Sequence, residues 1–213
     1  MVAQASTITT GSALPDPILL SVDIAGYSVG GQDILGSIKF DLRRGETVAL
    51  TGPSGIGKTT LMRIIAGLET GHHGRIARNG VHAVVFQEPT LLRWRTLRQN
   101  LTLVAKVSDP VAQDHLAEVG LGNKAEFFPD QLSLGQQRRL ALARAFAIKP
   151  DILLMDEPFV SLDPALAGEM MALFERLRAT YNPATLLITH DRQEAERLAS
   201  RSLRLDGRPA RLV

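Results

Sequence analysis

The segment Gly52-Pro53-Ser54-Gly55-Ile56-Gly57-Lys58-Thr59 has the spacing G-x-x-x-x-G-K-[ST]. Glycines let a backbone wrap so that successive N–H groups converge on phosphate oxygens, and a helix starting there adds its positive dipole end. A lysine at this point reaches the β- and γ-phosphates of a nucleotide, and the next hydroxyl can ligate Mg²⁺. Gly52, Pro53, Ser54, Gly55, Ile56, Gly57, Lys58, Thr59 and the following Thr60 are therefore expected to bind ATP, with Thr59 also on the metal. Alone, the loop specifies a nucleoside triphosphate and leaves kinases, GTPases and ATPases open.

Two further segments could act on that nucleotide. Asp156 and Glu157 follow the apolar run Ile152-Leu153-Leu154-Met155, and the end of a buried parallel strand is where such sheets place ligands. One carboxylate can hold the metal, mostly through a water, and the other can deprotonate water; we assign Asp156 to Mg²⁺ and Glu157 to the water. Leu132-Ser133-Leu134-Gly135-Gln136 opens an Arg- and Ala-rich stretch to about Ala147. Ser133 is suited to cap that helix, and a capped helix start is a second anion site. A chain with one phosphate loop uses a second such end only if another copy supplies the nucleotide.

These groups need a scaffold. Thr47–Leu50, Ala83–Phe86, Ile152–Met155 and Thr185–Ile188 are apolar, strand-length and each followed by a turn, the pattern of a parallel sheet covered on both faces. Ile38–Leu42 alternates instead, which predicts an antiparallel strand with one wet face. Asp163-Pro164 gives a cap and first-turn proline to a helix through Leu166, Met170, Leu173, Phe174 and Leu177. Asp191 and Glu194 read as a capping box. From about residue 90 to 140 the strand signal vanishes and a helical insertion is expected; Arg75–His82 is expected to form a trimmed hairpin.

Composition bounds the rest. A chain of 213 residues is long enough for one well-buried core, with 1–17 read as a flexible tail and 18–213 as one domain. It contains no cysteine, which excludes disulfides and thiolate metal sites. Twenty-four basic residues face 22 acidic ones, for a net charge of +2. That balance argues against a nucleic-acid partner. The pairs Arg43-Arg44, Arg93 and Arg95 around Trp94, and Arg138-Arg139 are expected on solvated faces. No apolar run approaches the roughly 18–20 residues of a membrane span, and residues 1–17 lack the pattern of a secretory signal.

The order Gly52–Thr59, Gln87, Leu132–Gln136, Ile152–Glu157, Ser161-Leu162-Asp163 and His190 resembles the ATPase subunit of ABC transporters, from about Leu19 to Leu205. That resemblance implies an α/β, RecA-like P-loop NTPase: a mainly parallel core with an antiparallel β subdomain and an inserted α-helical subdomain. It implies ATP hydrolysis by two chains closed head to tail, either two copies or a copy and a paralogous ATPase. Gln87 would couple Mg²⁺ and γ-phosphate to the insertion, His190 would contact the γ-phosphate, and Asp163 would lie in the loop linking the two sites. Tyr27 would stack under adenine, and Leu134 stands where the family has glycine. An integral-membrane permease would contact Gln87 to Trp94 at the cytoplasmic face of the inner membrane, with an extracytoplasmic solute-binding protein in the same system. With no fused membrane domain and an end soon after the last helix, an importer is expected, and Val85–Trp94 is similar to importers of nitrate, sulfonates and taurine. A soluble ABC-type ATPase and a non-catalytic ATP-binding module are the alternatives; the intact Glu157 and His190 disfavour the second.

Overall fold

The computed structural model describes residues 16–213; the expected tail lies outside them except for its last two residues. An antiparallel sheet comes first: β1 (Ile18–Val29) pairs with β2 (Gln32–Leu35), β3 (Ile38–Arg43) and β5 (His73–Arg78). β3 alternates strictly between buried and exposed residues, so one face is wet, as its sequence predicts. The Arg75–His82 hairpin does not form. Arg75 to Arg78 pair with β1, whereas His82 belongs to β6 (His82–Val85) of the second sheet.

That second sheet runs β10-β9-β4-β8-β7-β6, where β4 is Thr47–Thr51, β7 Ile152–Asp156, β8 Ala184–Ile188, β9 Arg201–Asp206 and β10 Arg211–Leu212. All its pairings are parallel except that of β9 with β10. Every residue of β7 and β8 is buried, because both faces are covered. Ile152, Leu154, Leu186 and Ile188 face a core shared with α1 (Lys58–Ala66) and the antiparallel sheet. Leu153, Met155 and Leu187 face the opposite core. That core is completed by α2 (Leu97–Val104), α3 (Asp109–Glu118), α4 (Leu134–Ala147) and α5 (Pro164–Tyr181). Between β6 and β7 the chain forms α2, α3, two 3-10 turns and α4, and no strand.

Three helix starts are fixed by side chains. Ser133 and Gln136 close a reciprocal capping box on α4, and the Asp163 carboxylate accepts the Leu166 N–H at the head of α5. Asp191 caps α6 (Arg192–Leu198) by accepting from Gln193 and Glu194. The expected reciprocal bond from Glu194 is not made. The Glu194 carboxylate instead accepts the Thr189 hydroxyl at 2.5 Å, and Thr189 Oγ1 accepts the Asp191 N–H at 3.0 Å.

Candidate functional site

Strand order sets the site. β4, β8, β7 and β6 are consecutive parallel neighbours, and their carboxyl ends carry in turn Gly52–Thr59, His190, Asp156 with Glu157, and Gln87. Four motifs scattered over 139 residue positions of sequence thereby stand in one row. His190 borders both a cleft reaching Gly52 and Pro53 and a cleft reaching Glu157.

The phosphate loop turns through left-handed backbone at Gly52 (φ 141°), Gly55 (φ 73°) and Gly57 (φ 112°). A Cβ on Gly52 would stand 2.5 Å from the Leu205 carbonyl, so no other residue fits between the loop and β9. Lys58 is 5% exposed, and its ammonium donates to the Gly52 and Pro53 carbonyls at 2.8 and 2.9 Å. This turns the buried charge into the loop. Pro53, Ser54, Gly55 and Thr59 are exposed, while Thr51, Gly52, Ile56 and Thr60 are half-buried. The first N–H groups of α1 have no intrahelical acceptor, which makes this loop a cradle for an anion.

Asp156 is buried, and its Oδ1 has no hydrogen-bond partner among the described residues. Burial raises its carboxyl above the ordinary value and the Glu157 charge adds to this, while the Thr59 hydroxyl, Lys58 and Arg63 pull it back. An unpartnered buried carboxylate oxygen beside a hydroxyl and a phosphate loop suits a hard cation. Among the described residues no group of three or more His, Asp or Glu forms a metal cage. Mg²⁺ fits such a donor set, since it is commonly held by one or two carboxylates plus substrate phosphates.

Glu157 adopts φ 44°, a left-handed conformation that costs a non-glycine residue about 1–3 kcal/mol. Its N–H donates to the Ile188 carbonyl at 2.9 Å, which fixes the turn against β8. Its Oε2 lies 3.3 Å from His190 Nδ1. Gln87 is exposed in the bend after β6. Asp163 is exposed at the head of α5, next to a cleft lined by Glu157, Ser161, Leu162, Pro164 and His190.

Ser133 and Leu134 are exposed, Gln136 is half-buried, and Gly135 is buried. A Cβ on Gly135 would meet Leu166 of α5 at 2.8 Å, so glycine permits the close packing of α4 on α5. None of these four residues lines the clefts around the phosphate loop or Glu157. Leu134 has no positive φ, so its side chain sets it apart from glycine and its backbone is unstrained.

Two expectations fail. Tyr27 is 7% exposed and packs in the core beside α1, with its hydroxyl donating to Glu69 at 3.4 Å. Its ring offers no free face for adenine. The cleft beside the phosphate loop is lined by Gln32, Asp33, Ile34 and Arg208, with no aromatic side chain. Arg138 is 7% exposed rather than solvated, and donates to the Pro158 carbonyl at 3.0 Å. Arg144 on the same helix donates to the Thr90 carbonyl at 2.7 Å. Trp94 is 70% exposed beside half-buried Leu91 and Leu92.

With this geometry in view, a family model described as ABC transporter matches residues 35–160. The chain belongs to the ABC transporter family. It is 41% identical over 213 residues to the aliphatic sulfonates import ATP-binding protein SsuB 3 of Nocardia farcinica (strain IFM 10152), covering 99% of this chain and 83% of that one. A second protein so named, from Paraburkholderia xenovorans (strain LB400), is 43% identical over 191 residues, covering 89% and 77%. A structure described as an inward-facing conformation of a metal-chelate type ABC transporter superposes with a TM-score of 0.79 at 24% identity. It covers 90% of this chain and 83% of its own and shows the fold, the P-loop NTPase core with antiparallel and helical subdomains. This ABC chain is an ATP-binding subunit with ATPase activity coupled to transport.

Proposed function

We propose that this subunit powers an importer through two chains that close head to tail over two ATP molecules and reopen after hydrolysis. The observation that carries the reading is the row at the carboxyl ends of β4, β8 and β7, where Glu157 and His190 meet at 3.3 Å beside the phosphate loop. Gly52–Thr60 bind the phosphates and Lys58 faces the β- and γ-oxygens. Thr59, Asp156 and Gln87 would hold Mg²⁺, which would neutralise charge on the phosphates. Glu157 accepts a proton from the attacking water, and His190 orients that carboxylate and contacts the γ-phosphate. Ser133, Leu134, Gly135 and Gln136 act on the partner's nucleotide, which agrees with their absence from the lining of the clefts around the chain's own phosphate loop and Glu157. Asp163 lies between the two sites.

The exposed Trp94 and the segment back to Gln87 form the contact with an integral-membrane permease at the cytoplasmic face. No helix among the described residues is long and apolar enough to cross a membrane. The relatives named for import of aliphatic sulfonates favour this reading over a soluble ABC ATPase, and they make a small anionic solute, delivered by a solute-binding protein, the cargo to try first. The test is Glu157→Gln, which keeps the shape and loses the base. It should bind MgATP, fail to cleave it, and elute as a dimer only with ATP. Normal cleavage would remove Glu157 from the chemistry, and a monomer at saturating MgATP beside its permease would contradict the sandwich.

A further inference from the structure

α4 begins at the segment assigned to the partner's nucleotide, and one turn later it carries a buried charge that neither site uses. Arg138 is 7% exposed, and its Nε has no partner among the described residues. Burying a guanidinium is costly unless it is paired, and an apolar side chain of similar volume would stabilise the core at least as well. Burial works against its charge, with only Glu194 opposing. Among the described residues its one side-chain hydrogen bond runs to the carbonyl of Pro158 at 3.0 Å. That carbonyl belongs to the residue directly after Glu157, in a turn whose left-handed Glu157 needs support from its surroundings. On its other side the turn is held by the Glu157 N–H on Ile188 and the Val160 N–H on the Glu157 carbonyl.

We propose that Arg138 is a positioning residue for hydrolysis, tying the helix that meets the partner's nucleotide to the turn that aims Glu157 at the chain's own. This rests on the reading of Glu157 as the base and of Ser133–Gln136 as acting in trans. A displacement of α4 when its N-terminus engages the partner is passed through one buried contact to the Glu157 carboxylate. The nucleotide itself is held by a different element, α1 with its loop, so Arg138 should govern turnover and leave ATP binding alone.

The test uses Arg138→Met, which keeps the bulk and loses the donor, and Arg138→Lys, which keeps a charged donor with shorter reach. Both are assayed with the permease present, alone and combined with Glu157→Gln, by steady-state and single-turnover hydrolysis. Misplacing a catalytic group by about 1 Å can cost ~10²-fold. Arg138→Met should lower kcat roughly ten- to a hundredfold at unchanged KM for ATP. Arg138→Lys should recover part of that loss, and in the Glu157→Gln background, where cleavage is already lost, Arg138→Met should leave ATP binding and the ATP-dependent dimer unchanged, since it acts through Glu157. Wild-type turnover in Arg138→Met overturns the proposal. So does loss of ATP binding or of the ATP-dependent dimer in the Glu157→Gln background, or a loss with raised KM that Arg138→Lys does not relieve, because those mark a purely structural role. Full turnover by Glu157→Gln alone would instead overturn the underlying reading, a result the Arg138 variants cannot produce.

Discussion

Replacing Leu134 by glycine separates the two nucleotide contacts of this chain. Leu134 is the first residue of α4, 44% exposed, with ordinary backbone. Its own N–H and that of Gly135 precede the first intrahelical bonds, while the Gln136 N–H is taken by Ser133. A leucine side chain beside two free donors keeps them from a tetrahedral phosphate. Bringing one transition-state donor into range is worth up to ~10²-fold in rate. The substitution also has a cost. Glycine in place of leucine in a helix costs about 1 kcal/mol, and losing the covered part of a leucine side chain that is 44% exposed costs about 1 kcal/mol more. A loss of about 2 kcal/mol lowers the melting temperature by roughly 4–8 °C in a domain of this size. Turnover should therefore rise although stability falls, an opposition that damage to the fold cannot mimic. The assay pairs ATP affinity of the monomer, by calorimetry, with the dependence of hydrolysis on protein concentration. Affinity should stay within twofold of the parent while the cooperative rate changes. Reduced monomer affinity with unchanged concentration dependence would put Ser133–Gln136 in the chain's own site and refute the reasoning.

Lys58→Ala removes charge-assisted bonds worth about 1.5–3 kcal/mol and should weaken ATP binding roughly 10–10²-fold, measured by nucleotide titration. Near-parental affinity would exclude the phosphate-loop assignment. Tyr181 is pushed up from 10.0 to about 12 by burial and by Glu118, whose carboxylate accepts its hydroxyl at 3.2 Å. Between those values the unfolded chain loses the tyrosine proton and the folded chain keeps it, so this stabilisation is complete below pH 10 and is lost as pH rises to about 12. Tyr181→Phe should be less stable than the parent at pH 8, and denaturant titrations should show the difference shrinking across that alkaline window; a gap independent of pH would argue against it.

The features legible in the sequence are those whose chemistry is local. The phosphate loop, the caps at Ser133 and Asp163 and the buried strands are each set by a few adjacent residues, and parallel pairing then brings Glu157 to His190. Features decided by long-range packing are not legible there. Tyr27 stands where the family resemblance implies a ring under adenine, but it packs in the core with α1 and the antiparallel sheet. Arg75–His82 resembles a hairpin until β1 takes Arg75 to Arg78 as a partner, leaving β6 to the other sheet. Arg138 looked solvated because helices usually keep a wet face, yet α4 is covered by α2, α3, α5 and β6 and buries nine of its residues. Glu194 missed its capping role because the Thr189 hydroxyl, placed by β8, competes for its carboxylate.

The central claim is that each active site combines one chain's phosphate loop with the other chain's α4. Lys58→Ala and Ser133→Arg variants, each assembled with its permease, should be nearly inactive. A mixed assembly contains one site with an intact loop from the Ser133→Arg chain and an intact helix start from the Lys58→Ala chain. ATP hydrolysis by the mixture should exceed the sum of the separate rates. A mixture no more active than that sum, with mixed dimers demonstrated in the sample, would contradict the account.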